Sequence, residues 1–277
     1  MHAPGPLPTD RQADGFDVGG HILVGIDDTP ESLVAAAQAG ALRSPDGRLV
    51  LVAVAERYLA AHAGLAAAQA EGHVAAHTRE DLAQATELVD ADETVLRSGR
   101  LVPVLGVECE RRGATLIAVG VRPHRLLPAR VLRGHDVEAL QQAACSVLIA
   151  RPGWGPHKPD RVVVALDGSP PARRAEAVGR TLATRLGCDV VPVVALGEQF
   201  DETLLHAERD DALVYPGRVT DAVTGASTDA SLIVVGRERG SGQRAADKLA
   251  ERLVYSARCS VLVVRHDTDA PAQARGT

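Results

Sequence analysis

A short glycine-rich stretch in the second half of the chain has the residue types that hold phosphate groups. It follows an apolar run at 231–235, and its candidate ligands are Gly236, Gly240, Ser241 and Gly242. Glycine lets a ligand approach the backbone N–H groups of a loop, and a serine hydroxyl adds another donor. The stretch is therefore a candidate site for a phosphate group. The alternative is a flexible loop between a strand and a helix that holds no ligand.

Three further polar or glycine positions stand at the ends of other apolar runs. Asp27 and Asp167 each follow such a run directly, and Gly120 ends another. A carboxylate at this point is a candidate ligand contact, because ligands of parallel α/β sheets bind beyond the carboxyl ends of the strands. Each aspartate is also a candidate N-cap for the helix that follows, which would explain it by structure alone. Both interpretations stay open from the sequence.

Other residues with catalytic or metal-binding chemistry form no complete set. His73 and His77 have a spacing that binds metals on a helix, but no catalytic glutamate adjoins them and no third ligand is evident. A solvated helix face explains them better, so no metal site is predicted. The sequence contains neither a Gly-x-Ser-x-Gly motif nor a Walker loop, so we expect a protein that is not an enzyme. Slow ATP hydrolysis is the enzymatic alternative.

The cysteines are scattered along the chain without a Cys-x-x-Cys pair, at Cys109, Cys145, Cys188 and Cys259. This pattern predicts small buried hydrophobic residues in a reducing compartment. Cys145 and Cys259 both precede an apolar run. They are candidate redox sensors, but burial beside a core strand favours inert thiols.

The elements around the candidate residues predict a parallel α/β sheet. The apolar runs are short, rich in β-branched residues and free of polar alternation, as in strands buried on both faces. Turn residues follow each run, and apolar residues at helical spacing follow the turn. Strand, loop, helix and strand make up the βαβ unit, whose ligands bind beyond the carboxyl ends of the strands. The candidate residues all stand at such ends.

This order of elements occurs twice. Asp27 and Asp167 open the two copies, and the sequence Cys-Ser-Val-Leu recurs near their ends at Cys145 and Cys259. Two homologous α/β domains of about 130 residues explain the pattern better than one continuous sheet. The predicted divisions are a disordered N-terminus at 1–20, a first domain at 21–152, a linker at 153–160, a second domain at 161–266 and a loose tail at 267–277.

The composition and the length of the apolar runs argue against two classes of binding partner, nucleic acids and membranes. Hydrophobic residues make up 45% of the 277 residues and aromatic residues only 2%, which predicts an aliphatic core. The net charge of -6 argues against general affinity for nucleic acid, and few aromatic rings are available to stack on bases. No apolar run reaches the length of a membrane span, and the N-terminus does not resemble a signal peptide. We expect a cytoplasmic protein with no membrane or nucleic-acid partner.

Several of these marks together resemble the universal stress protein family. They are strand-Asp-Gly-Ser-Pro at 162–170, Val-Val-Gly at 234–236 and Cys-Ser-Val-Leu-Val-Val-Arg at 259–265, with similar marks at 21–29, 116–120 and 145–151. The resemblance covers both halves. It implies that each half is a five-stranded parallel sheet of order 3-2-1-4-5 flanked by helices, the Rossmann-like adenine nucleotide alpha-hydrolase-like fold. It also implies that the halves pair as an internal pseudo-dimer, while a further homodimer stays open.

The resemblance also implies an adenine-nucleotide site, with ATP as one ligand of the family. The family's adenosine contacts are an aspartate after strand 1 and a residue near the end of strand 2, positions that match Asp27, Asp167, Val54 and Val194. Its phosphate pattern is Gly-x-x-Gly, nine residues, then Gly-Ser or Gly-Thr. In this chain Pro123 and Arg239 stand where the second glycine is expected. Proline has no N–H to offer a phosphate.

Two functional hypotheses therefore stand. The first is a stress-response binding and regulatory module in which the second domain binds ATP or another adenine nucleotide weakly. The second is a nucleotide-free interaction or scaffold protein with an unidentified protein partner. Direct binding measurements with adenine nucleotides separate the two.

Overall fold

The computed structural model describes residues 17–27, 29–55, 67–121, 143–154, 159–196, 212–216, 219–226, 228, 230–238, 252–253 and 256–266. Their strands are β1 (His21–Ile26), β2 (Arg48–Ala55), β3 (Glu93–Ser98), β4 (Leu116–Gly120), β5 (Ser146–Ala150), β6 (Arg161–Leu166), β7 (Asp189–Leu196), β8 (Leu213–Pro216), β9 (Leu232–Glu238) and β10 (Ser260–His266). Their main helices are α1 (Pro30–Leu42), α2 (Ala67–Leu88), α3 (Leu101–Arg112), α4 (Pro170–Leu186) and α5 (Val219–Ala226).

Each half has the predicted sheet. In the first half the strand order is β3-β2-β1-β4-β5, and in the second half it is β8-β7-β6-β9-β10. All neighbouring strands within a half are parallel. Both orders are 3-2-1-4-5 when each half is numbered by itself, so the predicted fold class and topology are confirmed.

The two halves nevertheless share one sheet. From the sequence, one continuous sheet and two separate domains are alternative explanations of the repeat. The ten strands form a single sheet because β5 and β10 pair antiparallel, with Leu148 opposite Leu262. The physical reason is that the fifth strand of each half would otherwise be an unpaired edge. Two units of five parallel strands and one continuous sheet are therefore compatible descriptions of this molecule.

Reciprocal serine contacts mark a twofold-like relation at this junction. The Arg151 N–H donates to Ser260 Oγ over 3.0 Å, and the Arg265 N–H donates to Ser146 Oγ over 3.2 Å. Each serine opens its fifth strand, and each arginine stands at the far end of the opposite one. The same contact is thus made twice with the halves exchanged.

For other junction contacts, the described residues of the two halves show no such copy. The Gln38 amide donates to the carbonyl oxygens of Arg151 (2.8 Å) and Trp154 (2.7 Å), and its Oε1 accepts from Ser260 Oγ (2.7 Å). The Arg185 guanidinium donates to the Leu42 carbonyl oxygen at the end of α1. A cation at a helix C-terminus complements the partial charge of the last carbonyl groups. Helices of the two halves are therefore tied to each other as well as the strands.

The hydrophobic core lies on both faces of the sheet, as its two layers of helices require. One face packs under α1, α2 and α4, and the other packs under α3 and α5. Each face carries one buried cluster that runs across both halves. The buried residues are mainly Val, Leu, Ile and Ala, as the composition predicted.

Several predicted elements are confirmed and others fall outside the described residues. The sequence predicts a short strand near 94–97 and a helix after Gly99, and the structure confirms them as β3 and α3. The Ala-rich segment 58–89 predicts either one long helix or two shorter helices broken at Gly72, and α2 continues through Gly72. A helix that the sequence predicts near 136–144 lies mostly outside the described residues. Among those described, no helix is both long and apolar enough to span a membrane.

Candidate functional site

The candidate site of each half lies where the strand order reverses. In the first half β1 has β2 on one side and β4 on the other, and in the second half β6 lies between β7 and β9. At such a reversal, the connections that follow the two neighbouring strands run to opposite sides of the sheet. This opens a crevice at the carboxyl ends of the strands. Asp27 and Asp167 follow the central strands, and Gly120 lies at the end of the neighbouring β4. Gly236 occupies the corresponding position in β9, where that strand continues to Glu238.

Neither aspartate is the N-cap of its helix, which corrects that interpretation. The N-caps are Thr29 and Ser169, two residues further on. Asp27 Oδ1 accepts from the Thr29 N–H over 3.0 Å, and Asp167 Oδ1 accepts from the Ser169 N–H over 2.9 Å. Both carboxylates therefore hold the turn between strand and helix through one oxygen. Asp167 is exposed and Asp27 is half-buried.

The two turns complete their hydrogen bonds in different ways. In the first half Ser32 Oγ donates back to the carbonyl oxygens of Asp27 (3.0 Å) and Thr29 (2.9 Å). In the second half Ser169 Oγ accepts from the Ala172 N–H over 3.3 Å, and proline occupies the two preceding helix positions. Because proline has no N–H, the first turn of α4 has few donors left for an anion.

Gly120 and Gly236 have a packing role that the sequence could not reveal. A Cβ atom at Gly120 would lie 2.1 Å from the Glu31 carbonyl oxygen, and one at Gly236 would lie 2.0 Å from that of Pro171. Each glycine thus lets a strand pass directly beneath the first turn of α1 or α4. This close approach requires glycine whether or not a ligand binds.

Val54 and Val194 do not occupy equivalent positions. Ile26 pairs with Ala53 in the first half, whereas Leu166 pairs with Val194 in the second. The register therefore matches Val194 with Ala53, and Val54 with Ala195. Val54 belongs to the buried cluster under α3 and α5, while Val194 belongs to the cluster under α1, α2 and α4. Both are buried, but they face opposite sides of the sheet.

The charges beside the two turns differ, and the sequence analysis missed this difference. Glu31 lies in the first turn of α1. Pro171 takes the matching position in α4, and the exposed Arg173 donates through Nη1 to the Gly168 carbonyl oxygen. Although proline removes N–H donors there, the charge of Arg173 makes the turn after β6 more favourable for an anionic ligand than the turn after β1, which has Glu31 beside it. An arginine in the first turn after Asp-Gly-Ser-Pro is the sequence signal that could have identified it.

Three candidate phosphate ligands, Gly240, Ser241 and Gly242, lie outside the described residues. His77 lies on α2 with its ring exposed, and its Nδ1 is 3.5 Å from Glu80 Oε2. A solvated face was the expected setting for that histidine. The described residues therefore bring together Asp167, Gly236 and Arg173 in the second half and Asp27 with Gly120 in the first.

Comparison with known proteins supports the fold and the family. The universal stress protein family model matches residues 20–151. A universal stress protein from Archaeoglobus fulgidus DSM 4304 has a similar structure, with a TM-score of 0.67, 16% identity, and coverage of 91% of this chain and 98% of its own. A functionally unknown protein from Pseudomonas aeruginosa PAO1 matches with a TM-score of 0.60, 18% identity, and coverage of 92% and 95%. No curated protein matches the sequence.

A smaller structure matches one half only. It is a universal stress protein in complex with cAMP, with a TM-score of 0.39, 20% identity, and coverage of 48% of this chain and 98% of its own. The similarity of the longer structures extends over both halves, whereas the family model covers the first. Its match to residues 20–151 shows that the first half of the chain is a universal stress protein domain, and the strand order 3-2-1-4-5 of that half recurs in the second.

Proposed function

We propose that this protein is a stress-response binding and regulatory protein whose second half binds an adenine nucleotide weakly. The universal stress protein domain of the first half supports the stress-response part of the proposal. The nucleotide part rests on the turn after β6. There an exposed carboxylate, Asp167, stands at the reversal of strand order with the Arg173 guanidinium beside it.

In this proposal, different groups contact different parts of the nucleotide. Asp167 uses Oδ1 to hold its turn, which leaves Oδ2 to accept from a ribose hydroxyl or an adenine amine. Arg173 offers a positive charge to a phosphate. The first half has a glutamate near the corresponding place, which opposes an anion. The proposal therefore assigns the nucleotide to the second half and includes no catalytic step.

A second candidate function is a nucleotide-free interaction or scaffold protein. The observation that favours it is that the predicted site residues with described positions have structural roles. Asp27 and Asp167 hold turns, Gly120 and Gly236 admit close packing, and the two valines lie in the core. Because these residues have roles in the fold itself, their presence does not require a ligand.

Equilibrium dialysis of the purified protein with labelled ATP, ADP and AMP tests the proposal. Asp167→Asn keeps an oxygen that accepts from Ser169 but removes the negative charge. We expect it to weaken nucleotide binding about tenfold, since a hydrogen bond to a charged group contributes roughly 1.5 kcal/mol or more. Its melting temperature should stay close to that of the parent because the turn is preserved.

Asp27→Asn is the matched control, because Asp27 makes the same turn in the first half. It should leave the dissociation constant unchanged within about twofold if the second half holds the nucleotide. Equal binding by Asp167→Asn and the parent protein would contradict the assignment of the site. No binding of any of the three nucleotides would favour the scaffold function instead.

A further inference from the structure

Two cysteines of the first half lie in direct contact. Cys109 is on α3 and Cys145 directly precedes β5, and their Sγ atoms are 3.0 Å apart. Both side chains are buried, with 2% and 6% of their surface exposed. No sequence pattern indicates this pair, because the two residues are far apart in the chain and form no spaced motif.

Contacts from the second half hold Cys145 in place. Arg237 Nη2 donates to the Ala143 carbonyl oxygen over 2.9 Å, two residues before the cysteine. On the other side, the Arg265 N–H donates to Ser146 Oγ. The position of Cys145 against Cys109 is therefore fixed by the junction between the halves, and does not depend on the first half alone.

The two thiols have unequal acidity. The hydrogen bond with Cys145 lowers the pKa of Cys109 below its usual value despite burial, and the charge of Arg265 acts in the same direction. The same sulfur contact and burial raise the pKa of Cys145. A thiol of lowered pKa beside a second thiol is an arrangement in which the first sulfur reacts and the second resolves the product.

We propose that Cys109 and Cys145 form a reversible disulfide when the protein meets a small peroxide. The Cys109 thiolate attacks one peroxide oxygen, the O–O bond breaks, and hydroxide leaves while the sulfur becomes a sulfenic acid. The Cys145 sulfur then attacks that sulfenic sulfur, the S–O bond breaks, and water leaves with the Cys145 proton. In total, two thiols and one hydrogen peroxide give one disulfide and two waters, and a dithiol reductant reverses the change.

The second half provides an internal comparison. Cys259 takes the place of Cys145 there, directly before β10, and is also buried. Burial raises its pKa to about 12. It makes no contact with another sulfur among the described residues, so it should stay reduced under conditions that oxidise the pair.

Mass spectrometry of the whole protein after peroxide treatment tests the proposal. Cys188→Ser serves as the background, because Cys188 is the more exposed cysteine and would react by itself. We expect this variant to lose two hydrogen atoms in mass, to yield a cross-linked peptide containing Cys109 and Cys145, and to regain the hydrogens with dithiothreitol. Adding Cys259→Ser should leave this result unchanged.

Adding Cys145→Ser to the background should abolish the loss of two hydrogens, and Cys109 should gain oxygen instead. The proposal is overturned if the background protein takes up oxygen without that loss. It is also overturned if the folded protein stays unmodified at a peroxide dose that oxidises the same chain in guanidinium. Circular dichroism of each untreated variant shows that it is folded before the comparison.

Discussion

At the scale of single residues, two glycines show how one residue type can serve packing or ligand binding. Gly120 and Gly236 lie near the carboxyl ends of β4 and β9, the edge of the sheet at which ligands bind in parallel α/β folds. Each glycine packs against the backbone of the first turn of α1 or α4, and no space remains there for a Cβ atom. The sequence could not separate the two roles, because both require only that no side chain is present.

Replacement of Gly236 by alanine should destabilise the protein. The new Cβ would overlap the Pro171 carbonyl group, which belongs to the backbone and cannot rotate away. We expect Gly236→Ala to lower the free energy of unfolding by about 2–3 kcal/mol in urea denaturation.

Gly225→Ala is the control, because nothing lies within 4 Å of a Cβ at that helical position. It should change the unfolding free energy by less than about 1 kcal/mol. If Gly236→Ala were as stable as the control, the close contact with Pro171 would not constrain this position.

A one-residue difference in register explains why Val54 and Val194 were wrongly matched. Both were chosen as the residue near the end of the second strand, and both strands are continuously apolar. Neighbouring side chains of a strand point to opposite faces, so a shift of one position moves a residue to the other layer. An alternating polar pattern would have fixed the register, but a strand buried on both faces has none.

At the scale of elements, a buried carboxylate joins α3 to the adjacent strand. Glu108 accepts from Arg97 on β3 (2.9 Å), and from Arg111 (2.6 Å) and Arg112 (2.8 Å) on its own helix. Arg112 also pairs with Glu93 at the start of β3. Burial by itself raises the pKa of Glu108, but the three arginine hydrogen bonds outweigh it and lower that pKa to about 2.

This network should contribute to stability in a defined pH range. Because the pKa of Glu108 is lower in the folded chain than its ordinary value of 4.5, its contribution is complete above about pH 4.5. It is lost as the pH falls from there through about 2. We expect Glu108→Gln to lower the unfolding free energy at pH 7 by about 1–3 kcal/mol.

Urea denaturation at pH 7 and again near pH 3 checks this sign. The difference between Glu108→Gln and the parent protein should shrink at the lower pH. Glu110→Gln, an exposed position on the same helix, should have little effect at either pH. If the difference in unfolding free energy between the two proteins stayed constant or increased at the lower pH, the carboxylate charge would not stabilise the fold.

At the scale of the whole molecule, the repeated elements were predictable and their connection was not. Short β-branched runs ending in aspartate or glycine identified the central strands of both halves. The pairing of β5 with β10 leaves no such pattern, because Cys-Ser-Val-Leu opens both strands whether they form an edge or an interior pair. Only a family resemblance, which implied an internal pseudo-dimer, pointed to contact between the halves.

The two serines of the junction should differ in their contribution to stability. Ser260 Oγ contacts both the Arg151 N–H and Gln38 Oε1 in a buried site, whereas among the described residues Ser146 Oγ contacts the Arg265 N–H. We expect Ser260→Ala to lower the unfolding free energy by about 2–3 kcal/mol, and Ser146→Ala by about 1 kcal/mol.

Urea denaturation of the two variants under identical conditions measures the difference, and each serves as the control for the other. If both variants lost the same unfolding free energy, Gln38 would not stabilise the junction through Ser260. Gln38→Ala also removes the bonds to the Arg151 and Trp154 carbonyl oxygens, so a full cycle with Ser260→Ala is needed. A combined loss smaller than the sum of the two single losses would locate the extra contribution in the Gln38–Ser260 contact.

The antiparallel β5–β10 pair joins strands of one polypeptide, so dilution does not weaken its association. Two separate chains paired in this way would dissociate as their concentration fell, because their association is bimolecular. A single chain also allows its two halves to differ across the pair. The ninth residue of α1 is Gln38, while the ninth residue of α4 is Val178, a combination that two identical subunits cannot have.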